Sequence, residues 1–342
     1  MLTSSRPNSL AALDAQLEQS SLRGQWSRQG EGFGDPAPFG PPHLWKWAAI
    51  REGLEAAREW VPLGDMGARR TIGLVHPRLA AQDGHTSPTL HMSVQLVQPG
   101  EVALPHRHTA SAIRFILEGR ASAYTVVDGH KCTMERGDLI LTPNGAWHSH
   151  HNETDAPVIW VDGLDVPLTV ALHSFFFEPY PSRDGQVMSS AVDYSVRKPA
   201  GLGPPGQSAP SLVYKWRDTL PALREMDRAD QSPFEGRCLE YRNPAFGGHT
   251  LRTLTCWVQW LDPGEATAPH RHTYTHIYHA FEGRGVTEIE GQQYAWEQGD
   301  CLIVPNWSWH RHRNTDPAQP AILFSLNDLP LLEALDLYRE EA

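Results

Sequence analysis

The strongest constraint in this sequence is an internal repeat. Around residue 100 the chain reads PGEVALPHRHTASAIRFILEGR, and 164 positions later it reads PGEATAPHRHTYTHIYHAFEGR. A second pair, GDLILTPNGAWHSHHN from Gly137 and GDCLIVPNWSWHRHRN from Gly299, keeps step at an offset of 162, so one copy is two residues shorter in the hairpin between. Self-similarity of this kind means that one structural unit was duplicated. The 342 residues leave room for two cores of ordinary size. The matched segments are short β-rich runs, such as Leu90–Val97, Ala121–Val127, Leu139–Thr142 and Val158–Val161, broken by Gly, Pro, Asn and Asp. That pattern predicts a mainly β chain built as two antiparallel barrels.

Helical periodicity is confined to the ends. Leu10, Leu13 and Leu17 predict a short helix over Asn8 to Ser20, and Trp45, Ile50, Leu54 and Ala57 a second over Leu44 to Trp60. Gly30 to Pro42 reads as loop, Lys198 to Pro210 as linker, and Leu329 to Arg339 as a closing helix. The expected organisation is an N-terminal helical segment over 1–68 and a first barrel over 69–180. An inter-domain segment over 181–246 and a second barrel with its C-terminal helix over 247–342 follow. A net charge of −11 argues against nucleic acid as a partner, and no apolar run is long enough to span a membrane. The N-terminus lacks the pattern of a signal peptide, and four scattered cysteines form no CxxC pair, so a reducing cytoplasm is expected.

Histidine is abundant, with 18 in the chain, and its placement carries the chemistry. Residues i and i+2 of a strand face the same way, so His106 and His108 point together, as do His270 and His272. Arg107 and Arg271 point to the other face. His148 and His310 come far enough along for a hairpin to return them beside the first pair. Three imidazoles meeting inside a barrel make a metal site with places left open, suited to iron, zinc, copper or nickel.

These residues resemble the two motifs of the cupin superfamily, G-x5-H-x-H-x3–4-E-x6-G and G-x5-P-x-G-x2-H-x3-N. Gly100, His106, His108 and Gly119 match the first, and Gly137, Pro143, Gly145, His148 and Asn152 the second. The chain departs where the usual glutamate falls, at Ala112 and His276, and has Trp307 where the second copy should have glycine. A bicupin without that glutamate is similar to gentisate 1,2-dioxygenase and the salicylate, substituted-salicylate and 1-hydroxy-2-naphthoate dioxygenases. The resemblance implies Fe(II) in the first barrel on His106, His108 and His148. It also implies a small aromatic carboxylate and O2 as substrates, cleavage between the carboxyl- and hydroxyl-bearing ring carbons, and a homotetramer with the N-terminal helices in its contacts. A neutral three-histidine set leaves the metal its full charge, which favours a chelating dianion. His270, His272 and His310 are a second candidate metal site, with His276 as a fourth ligand.

Further residues are expected around the first triad. Arg114 shares the parity of His106 and His108, and its counterpart is Tyr278, so the arginine belongs to one copy alone. A guanidinium pairs bidentately with a carboxylate. The resemblance gives His150 a role at substrate or dioxygen and makes Asp162 its orienting acid, with Phe324 as the counterpart of Asp162. Gln95 is expected in the pocket. Of Arg69 and Arg70 only one can face inward, and Arg70 is the expected one. Trp147 and Trp309 are expected to pack. His76, His91, Met92 and Ser93 depart from the gentisate enzymes where ring substituents would be selected, which points to a substituted salicylate. Two competing readings remain: a metal-dependent bicupin decarboxylase, disfavoured by the missing glutamates, and a non-catalytic binding bicupin, disfavoured by six retained histidines.

Overall fold

The structure, a computed structural model, describes residues 7–28, 34–62, 69–82, 84–182, 185–189, 211–246 and 248–342. The predicted linker Lys198 to Pro210 and the loop residues 30–33 lie outside the described residues. Contacts divide the chain at Ala37 rather than at 68. In the N-terminal unit the helix Leu10–Gln19 is capped by Ser9, whose Oγ accepts from Ala12 N at 3.1 Å. Trp26 Nε1 donates to Asp14 there at 3.1 Å.

Residues 38–342 hold two β-barrels. In the first, a six-stranded sheet runs in the order Val213–Tyr214, Leu139–Thr142, Ala112–Glu118, Val158–Leu164, His91–Val97 and Arg70–Gly73. A five-stranded sheet faces it, with Val102–His108 and His148–Asn152 at its middle. The second barrel repeats the plan. Its large sheet runs His43–Trp45, Cys301–Val304, His276–Glu282, Ala321–Asn327, Thr255–Leu261 and Arg237–Glu240. This sheet therefore begins at Arg237, ahead of the expected 247.

The two large sheets pack face to face, which explains why their strands are apolar on one side and polar on the other. Met92, Val94, Leu96, Phe115 and Val161 of the first sheet share one buried cluster with Val258, Phe281, Phe324 and Leu326 of the second. Phe115 stacks on Phe324 with centroids 4.0 Å apart. The alternate residues point into the barrels, Gln95, Arg114 and Asp162 in the first and His276, Tyr278 and Ser325 in the second, while the histidine triads come from the smaller sheets.

Two elements differ from expectation at their ends. The helix predicted from Leu44 begins at Trp47, and His43–Trp45 ahead of it is a strand. The closing helix covers only Leu329–Ala334, after which Glu340–Glu341 pairs with Arg271–His272.

That early strand belongs to the far barrel. His43–Trp45 pairs with Cys301–Val304 of the second barrel, and Val213–Tyr214, between the barrels, pairs with Leu139–Thr142 of the first. Each short strand runs into a Lys-Trp pair and a helix. Lys46 ion-pairs with Asp300, which also accepts from Trp47 N at 2.8 Å. Lys215 ion-pairs with Asp138, which accepts from Trp216 N at 2.9 Å. Each aspartate thus caps a helix N-terminus that its own barrel did not supply. The preceding glycines are required twice over. Gly137 and Gly299 have φ of 86° and 96°, and a Cβ on either would lie 2.4 or 2.3 Å from the Trp216 or Trp47 indole.

Candidate functional site: two histidine triads

Strands Val102–His108 and His148–Asn152 pair with His106 opposite His148, so the hairpin return delivers the third imidazole to the first two. In the second barrel His270 bridges His310 in the same way. In each triad the ring nitrogens available to a metal lie within 4.8 Å of one another. Centroids in the first are 4.1, 4.8 and 5.6 Å apart, and in the second 4.3, 4.9 and 5.3 Å.

Backbone carbonyls orient these rings. The Nδ1 atoms of His108 and His148 sit 2.7 and 3.0 Å from Ala110 O and Ala146 O. Those of His272 and His310 sit 2.9 and 3.0 Å from Tyr274 O and Ser308 O. A proton held on Nδ1 leaves Nε2 with its lone pair free, the arrangement a metal ligand needs. Nε2 of His148, His272 and His310 is indeed buried without a hydrogen-bond partner. Burial lowers the first-triad pKa values, with Arg69 adding for His106: about 3 for His106, about 4 for His108, and well below the ordinary value for His148. The rings are therefore neutral near pH 7. Unpaired, neutral, convergent nitrogens fit a divalent cation in both barrels.

The surroundings of the triads differ. Strand pairing places Arg114 opposite Asp162, and Arg114 Nε lies 3.4 Å from Asp162 Oδ1. Both are buried, and Arg114 Nη1 also donates to Thr142 Oγ1. Tyr278 replaces the arginine in the second barrel and hydrogen-bonds His276 Nδ1 at 2.7 Å. The counterpart of Asp162 is Ser325 rather than Phe324. Tyr278 pairs with Ser325 as Arg114 pairs with Asp162, so the offset in this strand is one longer than the motif beside it suggests. Phe324 points instead into the core between the barrels.

The arginine expectation is reversed. Arg70 is buried on Glu101, 2.6 Å away, while Arg69 reaches the triad. Arg69 Nη2 lies 2.9 Å from His106 Nδ1 and donates to Leu104 O at 3.3 Å. Burial and the neighbouring Arg114, opposed by Asp162, bring its pKa down to about 10, still fully cationic at pH 7.

His150 lies inside the barrel, its ring 5.8 Å from that of His148 and 5.1 Å from Trp160. Its orienting partner is Thr125 Oγ1, 2.9 Å from Nδ1, rather than Asp162, which faces Arg114. Thr287 serves His312 identically, at 2.9 Å. Burial, then Arg114, lowers the His150 pKa well below its ordinary value. Gln95 is buried beside Trp160 on the ladder, with Thr71 Oγ1 donating to its Oε1 at 3.3 Å. Ser93 pairs with Asp162, and His91 shares its strand face. Met92 points into the shared core, and His76 is held by Pro41 O and Arg78 N, so neither lines the pocket. Trp147 packs under the Arg107 guanidinium at 4.6 Å.

In the second barrel His276 is not placed as a fourth ligand. Tyr278 takes its Nδ1, and Ser325 Oγ lies 2.9 Å from its Nε2. Glu235 approaches the triad instead, with Oε1 3.4 Å from His270 Nε2. No motif flagged it. Trp307 takes up the left-handed backbone of its missing glycine, with φ of 58° against 72° at Gly145, and carries the Arg271 guanidinium 4.3 Å above its ring.

A cupin domain model matches residues 93–166 and again 257–327. The chain is 36% identical to 1-hydroxy-2-naphthoate 1,2-dioxygenase of Nocardioides sp. (strain KP7), over 97% of its own length and 87% of that protein. It is equally similar, at 36%, to 5-aminosalicylate 1,2-dioxygenase of Comamonas sp, covering 97% and 90%. The salicylate 1,2-dioxygenase of Pseudoaminobacter salicylatoxidans, solved as adducts with gentisate, superposes with a TM-score of 0.86 at 30% identity, over 99% and 96% of the two chains. With agreement of sequence and fold over nearly its whole length, the chain belongs to the bicupin family of ring-cleaving aromatic 1,2-dioxygenases.

Proposed function

We propose that the first barrel binds Fe(II) on His106, His108 and His148 and opens the ring of a 2-hydroxybenzoate with O2, breaking the bond between the carboxyl- and hydroxyl-bearing carbons. The observation that carries this reading is the pair of arginines, Arg69 and Arg114, beside this triad and, among the described residues, not beside the other. Iron(II), when bound, supplies a redox centre through which dioxygen and the ring react. The chain's own groups do the rest. Arg114 and Arg69 hold the carboxylate, and their buried charge makes the pocket selective for an anion. Asp162 fixes the Arg114 guanidinium and reduces the repulsion between the two arginines. Thr125 pins His150 through Nδ1, which leaves Nε2 of a neutral ring to take the proton of the ortho hydroxyl as it ionises. Gln95 and Ser93 shape the wall beside the ring.

The preferred substrate is a substituted salicylate or hydroxynaphthoate rather than gentisate. His91 and Ser93 on the pocket wall support this, as do the two relatives named for an aminosalicylate and a hydroxynaphthoate. The test is aerobic assay of the iron(II)-loaded protein with gentisate, salicylate, 5-aminosalicylate and 1-hydroxy-2-naphthoate, following ring absorbance. Turnover that Zn(II) does not restore is expected. No turnover of any of the four overturns the reading.

The reading also takes the protein as a cytoplasmic homotetramer. Among the described residues no helix is long and apolar enough to cross a membrane. Leu172, Phe175, Phe176 and Phe177 form an exposed apolar run of the kind that self-association covers. Light scattering checks the tetramer.

A further inference from the structure

We propose that the second barrel holds its own divalent metal ion, ligated by His270, His272, His310 and Glu235, in a closed site that stabilises the fold and takes no part in ring cleavage.

The ring nitrogens of His270, His272 and His310 lie within 4.8 Å of one another, and Glu235 Oε1 lies 3.4 Å from His270 Nε2. Nε2 of His272 and of His310 and Oε1 of Glu235 are all buried and make no hydrogen bond. All four residues are at most 5% exposed. Leaving several such atoms unsatisfied in one spot is costly, and a cation satisfies them together. The other oxygen of Glu235 accepts from Gln259 Nε2, which aims the carboxylate.

The chain delivers this glutamate by a specific turn. Ser232 and Gly236 bridge each other, and Gly236 has φ of 67°. The strand register shows what was exchanged. Arg237 pairs with Trp260 as Arg70 pairs with Leu96, so Gly236 stands where the first barrel has Arg69, and Glu235 is next to it. Tyr278 stands where the first barrel has Arg114. Among the described residues, two arginines and one aspartate stand beside the first triad, and Glu235 and Glu340 stand beside the second. The first environment admits an anion to a metal. The second attracts the metal and turns an anionic substrate away. A cavity of about 660 Å³, lined by Glu235, Glu240 and Glu340 among others, gives a cation a way in. Three imidazoles and one carboxylate make four ligands, the number structural zinc sites use, and no arginine stands here as Arg114 does in the first barrel to hold a substrate carboxylate.

The test is metal counting on full-length protein stripped of metal, reloaded with Zn(II) and freed of excess, using the wild type, His148→Ala, His272→Ala and Glu235→Gln. Two ions per chain are expected for the wild type and one for either alanine variant. The isosteric Glu235→Gln should lower the affinity of one ion by roughly 10-fold or more in chelator competition. In His148→Ala, Zn(II) should still raise the melting temperature, because an ion bound only to the folded state stabilises it. A single ion on the wild type, no ion on His148→Ala, or unchanged affinities in Glu235→Gln overturns the proposal. None of these readouts depends on turnover, so they stand apart from the assay of ring cleavage.

Discussion

Arg69 and Arg70 are neighbours in the chain, and the pleat sends them to different tasks. Arg70 closes a buried ion pair with Glu101, whereas Arg69 lies over His106. Removing the first damages the fold, and removing the second damages the site. Arg69→Met should raise KM for the aromatic acid about 10- to 100-fold, the loss of one charge-assisted contact of roughly 1.5–3 kcal/mol, with little change in melting temperature. Arg70→Met should leave KM near wild type and lower the melting temperature. Steady-state kinetics beside thermal melts separates the two, and the reverse pattern would return the binding role to Arg70. The triads were legible because i and i+2 parity needs no register. The choice between two adjacent arginines was not, since a slip of one residue exchanges the faces. The same slip hid Ser325 as the counterpart of Asp162, although Pro157 with Pro320 and Asp165 with Asp328 carried the right offset. Glu235 lies outside any motif, and its meaning depends on a turn that only the fold reveals.

At the scale of elements, the two Lys-Trp struts are equivalent in design and unequal in burial. The Lys215 side chain is 3% exposed and that of Lys46 47%. Asp138→Ala leaves the buried Lys215 ammonium only the half-exposed Glu135 as an acid partner, 2.8 Å away, and should destabilise the protein by about 3 kcal/mol. Asp300→Ala leaves Lys46 to water and loses a cap and a partly exposed pair, about 1–2 kcal/mol. Denaturant melts of the two variants measure the difference, and equal losses would show that burial of the lysine does not set the energy. The struts were half legible. HLWKW and LVYKW resemble each other in the sequence, and the helix after the first shows helical periodicity, whereas the helix Trp216–Arg224 after the second was not expected. Their partners were hidden because each strut crosses to the barrel it is not attached to, and a short strand carries no record of which edge it joins.

For the whole molecule, the burial of so many imidazoles makes acid the natural denaturant. His91 and His279 stand outside both triads, and burial lowers their pKa values to about 4 and about 3. Unfolded, each would titrate near 6.5. Between pH 6.5 and about 4 the unfolded chain thus binds more protons than the folded one. Stability is full above pH 6.5 and is lost as the pH falls through that window. Urea midpoints of the metal-free protein should drop steadily from pH 7 to 4.5. His279→Leu should flatten the slope by up to about 1.4 kcal/mol per pH unit. An unchanged slope would mean that this imidazole is already protonated in the native state.

The crossing of the struts also has a consequence for how the molecule comes into being. A ribosome releases the chain from its N-terminus, so His43–Trp45 emerges long before the strand it joins, Cys301–Val304. The barrel with the arginines leaves next, yet its large sheet lacks an edge until Val213 and Tyr214 follow. The second barrel takes its edge from ahead of the first, and the first takes its edge from the segment that follows it. Duplication made two barrels from one, and the exchange of edges bound them into a pair.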